Sequence, residues 1–283
     1  VSAANALRVT LSLCGASLAA PASDAAAAQN QPDPSTVEFR YTPAQLACAA
    51  FQEQSRATLD AQTGMRQRHE TLLRDGLLSL RARPGGPGIA LEAWYDSLAL
   101  SRESPEGKLV PDTDGLLGGR YRGTLTTSGH YSAEARPFVP DEVAEVAELG
   151  GAMDDLLPPL PPVALAVGQR WTDGRGLELR RLPDSVAGRQ TIRRLALRAR
   201  TESDTATVRG DTTTLAAREV MAEEGQVDWA PDLGLVRRVR RLVVETSVPA
   251  GGPVRQPLRS RLEQEVKLVR LPDRRCGRNT ASP

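Results

Sequence analysis

The sequence predicts a mainly β protein. Its fold would be a strongly curved antiparallel sheet of about eleven strands, a half-barrel, with an N-terminal helix and a central helical insert on the concave side. Three observations predict it. Apolar and polar residues alternate at period two on both sides of a central segment. That segment, residues 141–157, carries an apolar stripe at helical spacing and is closed off by prolines. Gly, Pro and Asp recur between the alternating runs, so consecutive strands are joined by short turns. So many strands do not fit one flat sheet, and a curled sheet needs something in its hollow.

Residues 1–28 differ from the rest. They hold one basic residue, Arg8, and one acid, Asp24. Residues 9–20 (VTLSLCGASLAA) are apolar apart from small Ser and Thr, too short to span a bilayer and suited to the apolar core of a signal peptide. Ala26-Ala27-Ala28 fits the small-residue cleavage rule, and Ala20 and Ala22 offer alternatives. The competing reading, a buried Ala-rich helix, is opposed by Pro21. Cys14 is preceded by Leu13 and lies inside the apolar run, which does not fit a lipidation site. With no other long apolar stretch, no transmembrane helix is expected after cleavage. The expected location is therefore exported, periplasmic or associated with the cell envelope.

Removal of the leader leaves Cys48 and Cys276. An even pair in an oxidising compartment tends to bridge, and this bridge would tie the start of the mature chain to its end. Two unrelated thiols are the alternative.

Along the chain, residues 29–40 (QNQPDPSTVEFR) read as a polar, loose lead-in to a single domain over 41–271. Thr42-Pro43-Ala44-Gln45 is a capping-box start, with Pro at the first helical position, and the helix is expected over 43–54. A first half-sheet is expected over 55–139. There Ile89, Leu91, Ala93 and Tyr95 share one face, and Ala90, Glu92, Trp94 and Asp96 the other. The insert, 141–157, presents Val143, Val146, Ala147, Met153, Leu156 and Leu157 on a broad apolar face. Gly150-Gly151 weakens its centre, and Pro158-Pro159 and Pro161-Pro162 end it. Alternation returns in a second half-sheet over 163–271. Leu258, Leu262, Val266 and Leu268 there face away from Arg259, Arg261, Glu263, Glu265 and Lys267. The tail, 272–283, is polar.

This layout resembles the periplasmic lipoprotein-carrier superfold of LolA, LolB and LppX-like proteins. There a signal peptide precedes a helix and a bent antiparallel sheet plugged by helices. The run Leu160-Pro161-Pro162-Val163-Ala164-Leu165-Ala166-Val167-Gly168-Gln169-Arg170-Trp171 is also similar to a stretch that recurs in uncharacterised exported bacterial proteins. The resemblance implies the fold and an apolar, lipid-like ligand. It transfers no functional residue.

Composition narrows the chemistry. With 40% hydrophobic and 25% charged residues the chain is an ordinary globular one. Lys+Arg is 36 and Asp+Glu 35, a net charge of +1, so no nucleic-acid partner is expected. Two histidines and three cysteines leave little for a metal site, and no cofactor or metal is expected. No nucleophile-elbow, zincin or phosphate-loop motif occurs. Asp112-Thr113-Asp114-Gly115 lacks the later ligands of a calcium loop and reads as a turn. His69 and His130 have no catalytic neighbours in sequence.

Between Val236 and Arg278 twelve basic residues face four acids. Such a face suits anionic headgroups or a cell-surface polymer, or is simply a solvated strand face. Low aromatic content, 4%, opposes an outer-membrane barrel with its aromatic girdles. The expectation is therefore a non-enzymatic carrier of a lipid-like or other apolar ligand. Trp94, Val146, Met153, Leu156, Leu157, Trp171 and Trp229 would line its cavity. The alternative is a structural or protein-interaction domain of the cell envelope, in contact with envelope proteins and without a small-molecule site.

Overall fold

The computed structural model describes residues 36–271, apart from 87, 145, 148, 150–151, 155, 175, 208–213 and 252–253. The expected signal peptide with Cys14, most of the lead-in, and the tail with Cys276 lie outside the described residues.

In chain order the elements are α1 (Pro43–Leu46), β1 (Ala49–Thr63), β2 (Arg66–Gly85), β3 (Gly88–Ser104), β4 (Gly107–Leu109), β5 (Tyr121–Leu125), β6 (Tyr131–Ala135) and α2 (Asp141–Ala144). There follow β7 (Arg170–Thr172), β8 (Leu177–Ala187), β9 (Gln190–Thr207), β10 (Thr214–Ala230), β11 (Gly234–Val248) and β12 (Leu258–Arg270). All twelve strands join one open antiparallel sheet in the order β6-β5-β3-β2-β1-β12-β11-β10-β9-β8-β7, with β4 on the far end of β3. The first and last long strands pair at the centre, Phe51 opposite Arg270 and Leu59 opposite Leu262. That pairing fuses the two expected half-sheets into one.

One apolar cluster serves both halves. Leu78, Leu80, Ile89 and Leu91 from β2 and β3, Leu195 from β9, Val227 from β10 and Leu268 from β12 all belong to it. Val143, Val146, Leu149, Met153, Leu156, Leu157 and Leu160 of the insert pack into the same cluster. The insert therefore lies against the sheet as expected, and its apolar residues are buried there.

Several local expectations are corrected. The capping box forms, with Gln45 N–H donating to Thr42 Oγ1 and Thr42 N–H to Gln45 Oε1. The helix nevertheless ends after one turn, not at Gln54, and β1 begins at Ala49. Pairing on both sides, with β2 and β12, overrides helix propensity. Ala49, Ala50 and Phe51 are all buried, so the period-two signal is erased just where the strand starts.

The insert is not a helix over 141–157. Only Asp141–Ala144 is helical. Beyond it come isolated turns, with Val146 N–H donating to the Val143 carbonyl, Ala152 to Leu149 and Leu156 to Met153. Its carbonyls, deprived of helical donors, are met by side chains of the surrounding structure. The Tyr121 hydroxyl donates to the Leu149 carbonyl at 3.1 Å, Arg238 to Leu156 at 3.0 Å and Tyr41 to Pro158 at 3.0 Å.

The described part of the lead-in is not loose. Val37 pairs with Leu165, and Phe39 and Tyr41 stack edge-on against Trp229 in the core. Among the described residues the strands number twelve, and the second half-sheet starts at Arg170 rather than at 163.

Candidate functional site

The two free edges of the sheet, β6 and β7, approach one another across the insert. Between them lies a cleft of about 390 Å3. Tyr131 of β6 and the β5–β6 turn (Ser128, Gly129, His130) form one wall; Trp171 of β7, Asp173, Leu177 of β8 and Leu197 of β9 form the other. Asp154, Leu157, Pro159, Leu160 and Pro162 come from the insert and its exit, and Glu223 with Arg238 closes the floor. The volume lies in the range of small-molecule sites, and the wall chemistry fits one: apolar and aromatic surface with a few fixed polar groups.

Each part of this seam is held by the sequence around it. Leu160 N–H donates to the Ser128 carbonyl at 2.8 Å, docking the insert's exit on the β5–β6 turn. Gly129 allows that approach: its φ is +92°, and a Cβ there would sit 2.5 Å from the Pro158 carbonyl oxygen. Arg136 and Asp154 pair at 3.2 Å across the rim. Arg238, buried, reaches Glu223 at 3.3 Å as well as the Leu156 carbonyl, and Arg240 joins Glu223 at 3.1 Å. Burial, with the Asp154 carboxylate adding to it, pushes the Tyr131 phenol up to about 12, so it stays neutral and able to donate.

The expected lining residues divide. Leu157 and Trp171 line the cleft. Val146, Met153, Leu156 and Trp229 are buried in the core cluster and are not among the residues that line the cleft. Trp94 is on the opposite face of the sheet. There Arg120 lies 3.6 Å over its ring, Arg81 flanks it at 5.6 Å, and its Nε1–H donates to Asp96. The bulge that admits Asp96 restores the inward face at Leu98.

Sequence reasoning missed a buried charged layer. Glu53 (β1), Arg74 (β2), Glu223 (β10), Arg238 and Arg240 (β11) all sit on the inner face between the dry core and the far end of the sheet. Glu53 fell inside the expected helix. Arg238 and Arg240 were counted with the basic surface. The available signal was alternation continued backwards from Ala57 through Ser55 and Glu53 to Phe51.

Part of the rest of the basic C-terminal third is neutralised across strands. Arg241 pairs with Glu263, Arg261 with Glu245, and Arg237 with Asp228. His69 contacts Asp60 at 2.7 Å on the surface, and Asp112 caps the Asp114 N–H in a turn. Among the described residues no group of His, Cys, Asp or Glu could hold a metal ion, and no helix is long and apolar enough to cross a membrane.

No family model and no curated protein matches the chain. Among solved structures, one of lipovitellin concerned with its lipid–protein interactions aligns at a TM-score of 0.47 and 8% identity. The alignment covers 79% of this chain and 25% of that one. This chain thus spans about a quarter of the lipovitellin chain, and a likeness so distant carries no functional argument.

Proposed function

We propose that this protein is a non-enzymatic binding module, exported to the periplasm or cell envelope, that carries a small apolar or amphipathic ligand, lipid-like in character, in the seam cleft. One observation carries the reading: a cleft opens at the seam, where Trp171, Leu157 and Leu177 present apolar walls beside the Arg238–Glu223 pair. The apolar body of a ligand lies between Trp171 and the insert, and its polar end meets the floor. Burying roughly 200–300 Å2 of apolar ligand surface stabilises the complex by about 5–7 kcal/mol before the costs of association, which points to micromolar or weaker affinity.

Native mass spectrometry of the purified protein tests it, together with Trp fluorescence titrated with a series of fatty acids and lysolipids. Saturable binding that Trp171→Ala weakens by at least tenfold supports the carrier. Absence of any adduct, with fluorescence unmoved across the series, sinks it. The second reading, a structural domain of the envelope, rests on the open edges β6 and β7, which can accept another strand. In that case a partner protein, and no small molecule, protects the edge amides from exchange.

A further inference from the structure

The face of the sheet opposite the core carries a larger concavity, an open trough of about 1120 Å3. It lies at the far end of the long strands, away from the insert. Pro105, in the turn after β3, and Arg200, in β9, line it from opposite sides, so the sheet bends towards this face here and towards the core at the other end. The trough crosses the six adjacent strands β2, β1, β12, β11, β10 and β9, roughly 24 Å of width at the usual spacing.

Register places the chemistry. Val220, Ala222 and Val243 make an apolar floor on β10 and β11. Arg200, Arg218, Arg259 and Arg261 line the trough against two acids, Asp60 and Glu245, and Arg68 borders it from the core face. Arg261 is taken by Glu245 and Glu263, Arg218 by Glu202, and Arg68 by Glu70. Arg200 and Arg259 are exposed and have no ionic partner among the described residues. Gln62, opposite Arg259 on β1, and Ser247, opposite it on β11, add neutral hydrogen-bonding groups beside one of these two cations.

We propose that this trough docks an extended acidic peptide of a partner protein. Charge complementarity selects the occupant: two guanidinium groups without counter-ions flank an apolar floor, and the paired arginines around them already engage carboxylates. A carboxylate-bearing chain with apolar residues between its acids satisfies both parts. A flat bilayer does not follow a concave surface. A sugar or nucleic-acid chain finds no Trp, Tyr or Phe among the lining residues on which to stack. The site is separate from the seam cleft and does not depend on a ligand there.

The probe is a fluorescein-labelled peptide of alternating Glu and Leu, with poly-glutamate alongside, read by anisotropy on the full chain at low and moderate salt. Binding that falls steeply with salt, weakens about 5–20-fold in the Arg200→Ala/Arg259→Ala double variant and is unchanged in Trp171→Ala is the expected result. Arg83→Ala, outside the trough, serves as the surface-charge control. The variants change exposed side chains, and their melting curves verify the fold. No binding at low salt, equal binding by the double variant, or tighter binding of heparin or of phosphatidylglycerol vesicles than of the peptide overturns the proposal.

Discussion

Glu53 Oε2 accepts a 2.7 Å hydrogen bond from the Tyr95 hydroxyl, 42 residues away, while Oε1 pairs with Arg74. The three side chains come from adjacent strands β1, β2 and β3 and close the inner end of the charged layer. Gly76 is part of the arrangement, because a Cβ there would lie 3.0 Å from the Tyr95 ring. Burial works against the charge of Arg74, yet the Glu53 carboxylate raises its pKa above the ordinary arginine value. Removing the carboxylate leaves a guanidinium in the interior with no counter-charge. Glu53→Ala is therefore expected to cost about 3–5 kcal/mol in urea denaturation, and Tyr95→Phe about 1–3 kcal/mol. The two effects should be non-additive in a double-mutant cycle. A loss below about 1 kcal/mol for Glu53→Ala would show that the pair contributes little to holding these strands together.

All four tyrosines of the chain have raised pKa values, and burial is the first cause for each. Tyr121 and Tyr131 are pushed up to about 12, and Tyr41 and Tyr95 further. A phenol whose folded pKa exceeds its unfolded value of 10.0 contributes stability that is complete below that value and is lost as pH rises through the folded one. Stability should therefore begin to fall near pH 10 and be mostly lost by about pH 12. Absorbance at 295 nm should stay flat through pH 10 in the native protein and then rise together with loss of far-ultraviolet circular dichroism. A simple titration centred at 10 in folded protein would contradict the burial of these rings.

The sheet was legible in the sequence because most strands have one dry face and one wet face. Ile89, Leu91, Ala93 and Tyr95 are on the inner face as alternation demands. Legibility fails where both faces are covered. At Ala49–Phe51 the outer side is buried too, and a strand reads as a continuing helix. It fails again in the insert, whose apolar residues fit a helical wheel but are satisfied by Tyr41, Tyr121 and Arg238 instead of by their own backbone. Trp94 shows a third limit. Its position opposite the core follows from period two, but the arginines that bury it there arrive from β2 and from Arg120 in the segment before β5. The seam cleft depends on two sheet edges meeting, which no local pattern encodes.

Cys48 and Cys276 are expected to form a disulfide under oxidising conditions. Strand β12 runs antiparallel to β1, with Arg270 opposite Phe51, and Leu271 N–H donates to the Ala50 carbonyl at 2.8 Å. The chain thus returns to the neighbourhood of Cys48 only a few residues before Cys276. By the chain-entropy account a loop this long contributes roughly 4–5 kcal/mol, less any strain. Denatured but unreduced protein should label no thiol in this pair. Two labelled thiols after oxidative refolding would exclude the bridge.

Gly129 separates two costs that a glycine substitution usually mixes. Gly118 has φ of +76° and open space where a Cβ would stand, whereas Gly129 has φ of +92° and the Pro158 carbonyl in the way. Gly118→Ala should therefore lose only the conformational part, about 1 kcal/mol. Gly129→Ala should lose about 2–4 kcal/mol, because the insert's exit must also move off the β5–β6 turn. That movement widens the seam beside Trp171, so the indole emission of the folded variant should shift to longer wavelength while Gly118→Ala leaves it in place. Equal losses in the two variants, with no change in emission, would mean that the contact between Gly129 and Pro158 does not fix the geometry of the cleft.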